Sequence, residues 1–311
     1  MKQRKACMIG TVYATSESGM ALVVTLMILA LITALVVEFA YGVYTTTAAL
    51  QNWKDSQRLS LIAVSGQHLA VKTLQEADRL YTYTYPGKTE MPLPGIVEDF
   101  EGMVFVKVED ENAKLNINSI ILANGLLNEH SYKSFRFLLR HLGIDEDIAD
   151  IVADWIDKDS KPRLSISEEN AKNDYMDSID ELLLLQRINP DIYEKVLPYI
   201  TVYSMTKSKL DMVNINTVSI PVIMSLDDRI TEELAERIID YREISPFEHA
   251  YDILKVAGFD DIGKPLQAKI AVKATNFRII CIAEERNIKR VIESVIQLKN
   301  GGYRITYWME T

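Results

Sequence analysis

The hydrophobic pattern of the chain is dominated by one apolar run close to the N-terminus. Residues 20–37 read MALVVTLMILALITALVV, without a charged side chain. Extended to residue 44, the segment reaches the roughly 20 residues that a helix needs to cross a lipid bilayer. Lys2, Arg4 and Lys5 lie in the polar segment before it. Because positive residues stay on the cytoplasmic side, the pattern predicts one membrane span, with the rest of the chain exported.

The apolar run continues into a stretch with helical periodicity and no proline before Pro86. Its large apolar residues recur at intervals compatible with one helical face: Leu50, Trp53, Leu61, Val64, Val71 and Leu74. The pattern predicts a single helix from residue 20 to about residue 80. Residues 20–44 would lie in lipid, and residues 45–80 would form an amphipathic continuation that packs on a globular head.

A secretory signal peptide is the obvious alternative for this N-terminal segment. Such a peptide has a shorter apolar core, which ends in a small-residue cleavage site. Here the small residue, Gly19, precedes the apolar run instead of following it. The pattern therefore favours a retained helix, and a plain signal anchor unrelated to any fibre stays open as a second alternative.

After the helix, the pattern changes to loop and strand. Pro86-Gly87 and the Pro-Leu-Pro-Gly sequence at residues 92–95 predict a loop. Alternating or β-branched segments predict four strands, at residues 103–109, 277–283, 291–298 and 303–309. Asn300-Gly301-Gly302 predicts a hairpin between the last two. One strand before and three after a long helical stretch predict an α+β fold, in which one antiparallel sheet (residues 81–109 and 275–311) is interrupted by an all-α insertion.

The helical insertion contains an internal repeat. Three blocks recur in the same order: LNINS at residues 115–119 with VNINT at 213–217, IADIVADW at 148–155 with LAERIIDY at 234–241, and residues 178–203 with residues 250–272. The first copy spans residues 110–205 and the second spans residues 206–274. Each copy is predicted to hold a few short helices, with Asn116 or Ser119 and Asn214 or Thr217 as candidate helix caps.

Charge and composition exclude several classes of function. The chain carries a formal net charge of −10, so an exported head of this kind does not attract nucleic-acid phosphates non-specifically. Cys7 and Cys281 are the only cysteines, and they cannot build a disulfide framework or a thiolate metal site. The four histidines are scattered, and neither a Gly-rich phosphate loop nor an HExxH motif is present. The sequence predicts a protein without catalytic activity.

Acidic residues crowd between residues 145 and 181. The densest group is Asp154, Asp157 and Asp159, where a helix is predicted to end in an irregular loop that returns at Asp174. Calcium takes six to eight oxygen ligands and tolerates loop geometry, so a calcium site is one interpretation. A solvated acidic face is the alternative, and it is the usual meaning of a charge run.

The N-terminal pattern resembles a type IV pilin-like signal: a polar, basic leader ending in Gly19, then Met20 and a hydrophobic helix. This resemblance implies that a prepilin peptidase cleaves after Gly19 and methylates the new N-terminus at Met20. The fifth mature residue in that family is usually Glu, whereas here it is Val24. A carboxylate in lipid is costly without a partner, so an apolar residue suits a subunit with nothing above it.

This departure, the DWIDKD and VNINT blocks and the helical insertion together resemble the minor pseudopilin K family of type II secretion systems. The resemblance implies a pilin-like scaffold whose insertion consists of two helix-hairpin-helix or SAM-like repeats. It implies a subunit that caps the pseudopilus, with the minor pseudopilins I and J and the major pseudopilin as partners. It further implies a single-pass protein of the bacterial inner membrane, with its N-terminus in the cytoplasm and its head in the periplasm. Residues 1–19 would be the leader.

The resemblance also implies calcium as a cofactor. Members of the K family bind calcium in the loop after the DWIDxD-like motif, and Asp157, Asp159 and Asp174 match the family's pattern. Two positions depart from it: Lys172 stands where a glutamate is expected, and Asn173 stands where an aspartate is expected.

A membrane-tethered DNA receptor is the chief rival function, because the second repeat resembles a helix-hairpin-helix module. Such hairpins hold phosphate on a Gly-x-Gly turn. The first hairpin position here carries Asp227 and Asp228 without a glycine, and the second keeps only Gly258. Residues 206–275 contain nine Lys or Arg against twelve Asp or Glu. Because phosphate binding requires the opposite sign of charge, we expect no nucleic-acid partner.

Overall fold

A computed structural model describes residues 17–85, 90–92, 100–159, 161–165, 167, 170–204, 211–299 and 301–311. Most of the leader, Cys7, the predicted loop residues 86–87 and 93–95, and Asn300 lie outside the described residues. The chain divides into two compact units, residues 1–57 and residues 58–311.

Seven helices and nine strands are described, numbered along the chain. The α-helices are α1 (Glu17–Leu80), α2 (Glu129–His141), α3 (Ile148–Ile156), α4 (Pro190–Val196), α5 (Ile220–Ser225), α6 (Glu232–Ile244) and α7 (Gly263–Leu266). The strands are β1 (Glu90–Pro92), β2 (Met103–Asp110), β3 (Leu115–Asn116), β4 (Ile200–Thr201), β5 (Val213–Asn214), β6 (Ile270–Ala271), β7 (Asn276–Glu285), β8 (Ile288–Lys299) and β9 (Gly302–Glu310). Short 3-10 helices include Ile179–Leu184 and Ala250–Lys255.

The predicted long helix is present as α1, which begins three residues before Met20 and runs unbroken to Leu80. In the first unit its apolar side chains are exposed along the whole predicted span. The threonines within this span satisfy their hydroxyls internally: Thr25 Oγ1 donates to the Leu22 carbonyl at 2.8 Å, and Thr33 Oγ1 donates to the Leu29 carbonyl at 2.7 Å. These two threonines thus leave no hydroxyl unpaired, as a lipid-facing helix requires.

In the second unit, the end of α1 packs on one antiparallel sheet with the strand order β1-β2-β7-β8-β9. The buried face of the helix includes Leu59, Ile62 and Val71. Leu61, which the periodicity placed on this face, is exposed instead, and the prediction for that residue is wrong. A pattern of large apolar residues cannot distinguish the sheet-facing stripe from the apolar surface beside it, whereas packing against a sheet selects one stripe.

The helix approaches the sheet closely at Gly66. A Cβ atom at this position would lie 2.6 Å from the Sγ atom of Cys281 on β7. Burial raises the pKa of the Cys281 thiol to about 11, so this cysteine packs as a small apolar residue. Glycine is therefore required at position 66 by the space between helix and sheet.

The sheet has one more strand than the sequence pattern predicts. Residues 90–92 pair antiparallel with β2, so Pro92, which the pattern assigned to a loop, ends an edge strand. Proline is compatible with this place because an edge strand does not need every amide for the ladder. The α+β class, with a long N-terminal helix on an antiparallel sheet, is confirmed.

The inserted helices form a separate apolar core, and the two copies of the repeated sequence use the same polar contacts within it. Asn118 accepts a hydrogen bond from the Met176 amide at 2.8 Å and donates to the Met176 and Val202 carbonyls at 2.9 and 3.0 Å. Asn216 makes the corresponding three bonds, to Phe247 and Val272. One asparagine in each copy thus ties three chain segments together.

The asparagine at the start of each copy also has a matching role. Asn116 Oδ1 accepts from the Asn118 amide at 3.0 Å, and Asn214 Oδ1 accepts from the Asn216 amide at 3.1 Å. Each copy is closed by a short parallel strand pair, β3 with β4 and β5 with β6. The repeated NIN sequence therefore lies where the first and last strands of each copy pair with each other. We call residues 113–205 the first module and residues 213–273 the second module.

Candidate processing, assembly and cation sites

The predicted processing and assembly residues all lie on α1. Gly19 and Met20 are exposed near its start, and Val24 follows one turn later with about half of its surface exposed. Among the described residues, α1 is the one helix long and apolar enough to cross a membrane. Neither cleavage nor the role of Val24 is tested by this placement, so both stay predictions.

The predicted calcium ligands lie on the acidic loop, which we define as residues 157–177 after the end of α3. Asp154 and Asp157 are almost completely buried where the loop leaves the helix. The Arg163 guanidinium pairs with both carboxylates through its Nη1 atom. The Arg163 amide donates to Asp154 Oδ2 at 2.8 Å, and the Ser167 hydroxyl donates to the same oxygen. One internal cation thus neutralises two interior acids.

A second internal cation lies at the other end of the acidic loop. Lys172 Nζ lies 2.7 Å from Asp177 Oδ2 and 2.9 Å from Glu181 Oε1. Glu181 also accepts a hydrogen bond from Trp155 Nε1 at 3.2 Å and from the Asp177 amide at 2.7 Å. Although burial acts to raise it, the pKa of Glu181 is lowered by Lys172 and these donors. The returning chain is therefore fixed to the end of α3 through one carboxylate.

The three predicted calcium ligands are not brought together. Asp159 accepts from the Lys161 amide at 2.8 Å, and Asp174 accepts from the amide of the next residue at 2.8 Å, so each carboxylate closes its own turn. Among the described residues, no group of three or more His, Cys, Asp or Glu side chains is arranged to hold a metal ion. The residues present, in this arrangement, do not fit a shell of six to eight oxygens. The calcium assignment stays a prediction.

A pair of adjacent acids joins the sheet to the two modules. Asp110 ends β2 and accepts from Asn214 Nδ2 at 2.8 Å and from Thr217 Oγ1 at 2.6 Å, so it holds the second module. Burial raises the pKa of Asp110 to about 6. The start of the insertion thus carries a carboxyl group whose pKa lies well above its ordinary value.

The next residue, Glu111, holds the first module. It is fully buried and accepts from Thr201 Oγ1 at 2.5 Å. Arg278 Nε on β7 lies 2.7 Å from Glu111 Oε1, and Lys114 Nζ lies 3.0 Å from it. Burial acts to raise the pKa of Glu111, but Lys114 and Arg278 lower it below its usual value. Two consecutive acids therefore fasten one module each to the sheet.

The three arginines of the second module are engaged within the protein. Arg229 pairs with Asp227 at 2.7 Å in the first hairpin position, and Arg237 pairs with Glu233 at 2.6 Å. Arg242 donates to the Ile215 and Val218 carbonyls at 2.9 and 2.7 Å. These contacts use the cations to hold the module together, and nothing in them favours a phosphate-binding surface.

Sequence reasoning did not single out Arg163, Asp110 or Glu111. Arg163 lies six residues after Asp157 inside an acid-rich segment, and a cation among these acids is a detectable signal. Asp110 and Glu111 follow a predicted strand directly, at the point where the insertion begins. Their partners, however, lie about 90 to 170 residues away along the chain, so only the fold reveals the contacts.

Two family models match the helical region, each described as "Type II secretion system (T2SS), protein K". One matches residues 113–205 and the other matches residues 213–273. Type II secretion system protein K of Aeromonas hydrophila is 25% identical over 314 residues, which cover 90% of this chain and 92% of that protein. The protein of the same name from Pectobacterium carotovorum subsp. carotovorum is 26% identical over 229 residues, which cover 65% of this chain and 67% of that protein.

The fold has a solved counterpart as well. The crystal structure of the GspK-GspI-GspJ complex from the type 2 secretion system of enterotoxigenic Escherichia coli contains a chain that matches with a TM-score of 0.68. The match covers 84% of this chain and 98% of that chain at 18% identity, so it shows a shared fold. With both halves of the helical insertion matched by the family's models and 90% of the chain matched by a relative of that name, the chain belongs to the type II secretion system protein K family.

Proposed function

We propose that the chain is the minor pseudopilin that caps the tip of a type II secretion pseudopilus and helps to start its assembly for protein export. The observation that carries the proposal is the first part of α1. It is apolar, uncharged from Met20 to Val37, preceded by Gly19, and lacks the carboxylate at position 24 that subunits inside a fibre usually have. A subunit at the tip has no neighbour above it to pair with such a carboxylate, and valine avoids this unpaired charge in lipid.

The proposed partners are the minor pseudopilins I and J beside the chain and the major pseudopilin below it. Support comes from the solved relative, which was crystallised as a complex of K, I and J subunits. We place the chain in the bacterial inner membrane, with its N-terminus in the cytoplasm and its head in the periplasm. The leader charges Lys2, Arg4 and Lys5 support this orientation.

The two modules are proposed to be helix-hairpin-helix or SAM-like units that serve as protein-contact scaffolds. Their repeated asparagine contacts support a common architecture. Their cations hold internal carboxylates and carbonyls, which supports a structural role rather than DNA binding. On this proposal the head acts through its shape and surface, without reaction chemistry.

Processing after Gly19 is tested with Gly19→Ala in cells that contain the prepilin peptidase. We expect the variant to keep its leader, so that the mature N-terminus at Met20 is lost; mass spectrometry of the purified protein measures this. A Cβ atom at Gly19 meets no atom within 4 Å, so the substitution does not disturb the packing of the described residues.

Gly42→Ala is the matched control, because it lies on the same helix and its added Cβ also meets nothing within 4 Å. We expect this variant to be processed normally. Mature protein of normal mass from Gly19→Ala would contradict the assignment of the cleavage site and, with it, the pilin-like route of assembly.

A further inference from the structure

The acidic loop of the first module contains its own counter-ions. Asp154 and Asp157 are 0% and 2% exposed, and both pair with Arg163. Two buried carboxylates without a nearby positive charge would carry a large desolvation penalty. The guanidinium is therefore a structural requirement of this loop, because it is the cation that pairs with both interior acids.

In the second half of the loop, acidic side chains are likewise paired with an internal cation. Lys172 neutralises Asp177 and Glu181, although it occupies the position where the K-family resemblance predicts a glutamate. Next to it, Asn173 stands in place of a predicted aspartate and adopts a positive φ of 56°. Its backbone amide donates a hydrogen bond to the Trp155 carbonyl at 2.9 Å. At these two positions the returning end of the loop is therefore held by a lysine side chain and a backbone hydrogen bond, where the K-family resemblance predicts carboxylates.

One atom marks where a metal ion would compete. Asp157 Oδ1 is buried and has no hydrogen-bond partner, while the other oxygen of the same carboxylate pairs with Arg163. A divalent cation at Oδ1 would lie within a few ångströms of the guanidinium, and like charges at that distance repel strongly in a partly buried site. Arg163 and a metal ion therefore exclude each other at Asp157.

We infer that Arg163, together with Lys172 at the other end of the acidic loop, supplies the positive charge that the K-family resemblance assigns to calcium. The acidic loop of this chain therefore folds without a metal ion. Arginine suits this place because its planar fork carries several donors and bridges two carboxylates, whereas lysine offers a point charge. This inference does not depend on the position of the chain in a pseudopilus.

The test uses the full-length protein in detergent, melted in excess EGTA and in about millimolar calcium chloride, a range that occupies weak extracytoplasmic sites. We expect the unmodified chain to melt within about 1 °C of the same temperature in both solutions, because it gains no bound ligand. Arg163→Met leaves two buried acids unpaired, and in EGTA its melting temperature should fall by about 6 °C or more. Calcium should raise it again by about 3 °C or more, because the site is then open to a metal ion.

Arg187→Met is the matched control, because Arg187 also lies between two carboxylates, Asp145 and Asp147, but on the exposed surface. It should melt within about 2 °C of the unmodified chain in both solutions, as exposed ion pairs contribute little. If Arg163→Met does not fold, Arg163→Lys keeps the charge and should stay insensitive to calcium.

Three results would overturn the inference. The first is a calcium-dependent rise in the melting temperature of the unmodified chain that Asp157→Asn abolishes. The second is an Arg163→Met variant that melts like Arg187→Met. The third is a destabilised Arg163→Met variant that calcium does not raise, because the guanidinium and the metal ion would then not serve the same carboxylates.

Discussion

The two modules share a framework and differ in one loop. In the first, Met176 follows Trp155 after 21 residues, whereas in the second, Phe247 follows Tyr241 after 6. Both Met176 and Phe247 are held by an asparagine in the same way. The extra residues of the first module form the acidic loop with its internal cations. The comparison teaches that the asparagine contacts define the module, while the segment between the helix and the asparagine-bound residue can differ in length and in charge.

The two modules also differ in how the turn after the short 3-10 helix is made. Arg187 in the first and Gly258 in the second occupy matching places, and both have positive φ, 63° and 93°. Glycine adopts this conformation without strain, whereas arginine does not. The second module thus has a glycine at this turn without the surrounding positive charge that phosphate binding needs.

The largest expected effect comes from removing the shared asparagine contact. Asn216→Ala leaves the backbone amide and carbonyl of Phe247 without a hydrogen-bond partner in the buried core, while the Val272 carbonyl keeps the bond from the Thr84 amide. We expect a loss of about 3–5 kcal/mol in the free energy of unfolding, measured by thermal or denaturant unfolding of the full chain. Asn118→Ala should lose somewhat less, about 2–3 kcal/mol, since Asn118 is only half-buried.

Asn124→Ala is the control for both, because Asn124 is exposed and caps only a local turn. It should change the free energy of unfolding by no more than about 0.5 kcal/mol. Equal, small losses for all three variants would show that the asparagine contacts do not define the modules.

A smaller effect is expected from Asp110, which fastens the second module to the sheet. Its folded pKa of about 6 lies above the ordinary value of 3.8. The stability that this shift contributes is therefore present below about pH 4 and is lost as the pH rises through about 6. Asp110→Asn stays neutral, so relative to the unmodified chain it should gain at most about 3 kcal/mol between pH 4 and pH 7.

Melting temperatures of both proteins across this pH range measure the difference. Asp260→Asn, an exposed change in the same module, is the control and should follow the unmodified chain. A parallel pH dependence of Asp110→Asn and the unmodified chain would show that Asp110 is not held in a buried contact by Asn214 and Thr217.

The smallest effect is expected at the turn. Gly258→Ala forces a side chain into a positive φ, and its Cβ would lie 2.7 Å from Leu234 Cδ2, so we expect a loss of about 1–2 kcal/mol. Arg187→Gly relieves the same strain but adds chain entropy to the unfolded state, and the two effects should cancel to within about 1 kcal/mol. Denaturant unfolding of the two variants checks the difference; a larger loss for Arg187→Gly would reverse the comparison.

Much of the fold is determined by the sequence alone. The apolar run fixes a helix through residues 20–44, because no other structure satisfies a backbone in lipid over that length except a closed barrel. Alternation along β2, β7, β8 and β9 predicts the sheet, since one face of each strand must be buried. The repeated NIN sequence indicates two related modules, and the K-family resemblance that these residues carry is confirmed by the family matches.

Other features are decided only by the tertiary structure. Residues 90–92 become a strand because β2 offers them an open edge, and which stripe of α1 is buried depends on where the sheet lies. The roles of Asp110, Glu111 and Arg163 follow from partners that the fold brings close. A run of acids in a sequence gives only the number of charges, whereas the fold determines which cation each carboxylate meets and how much water it loses.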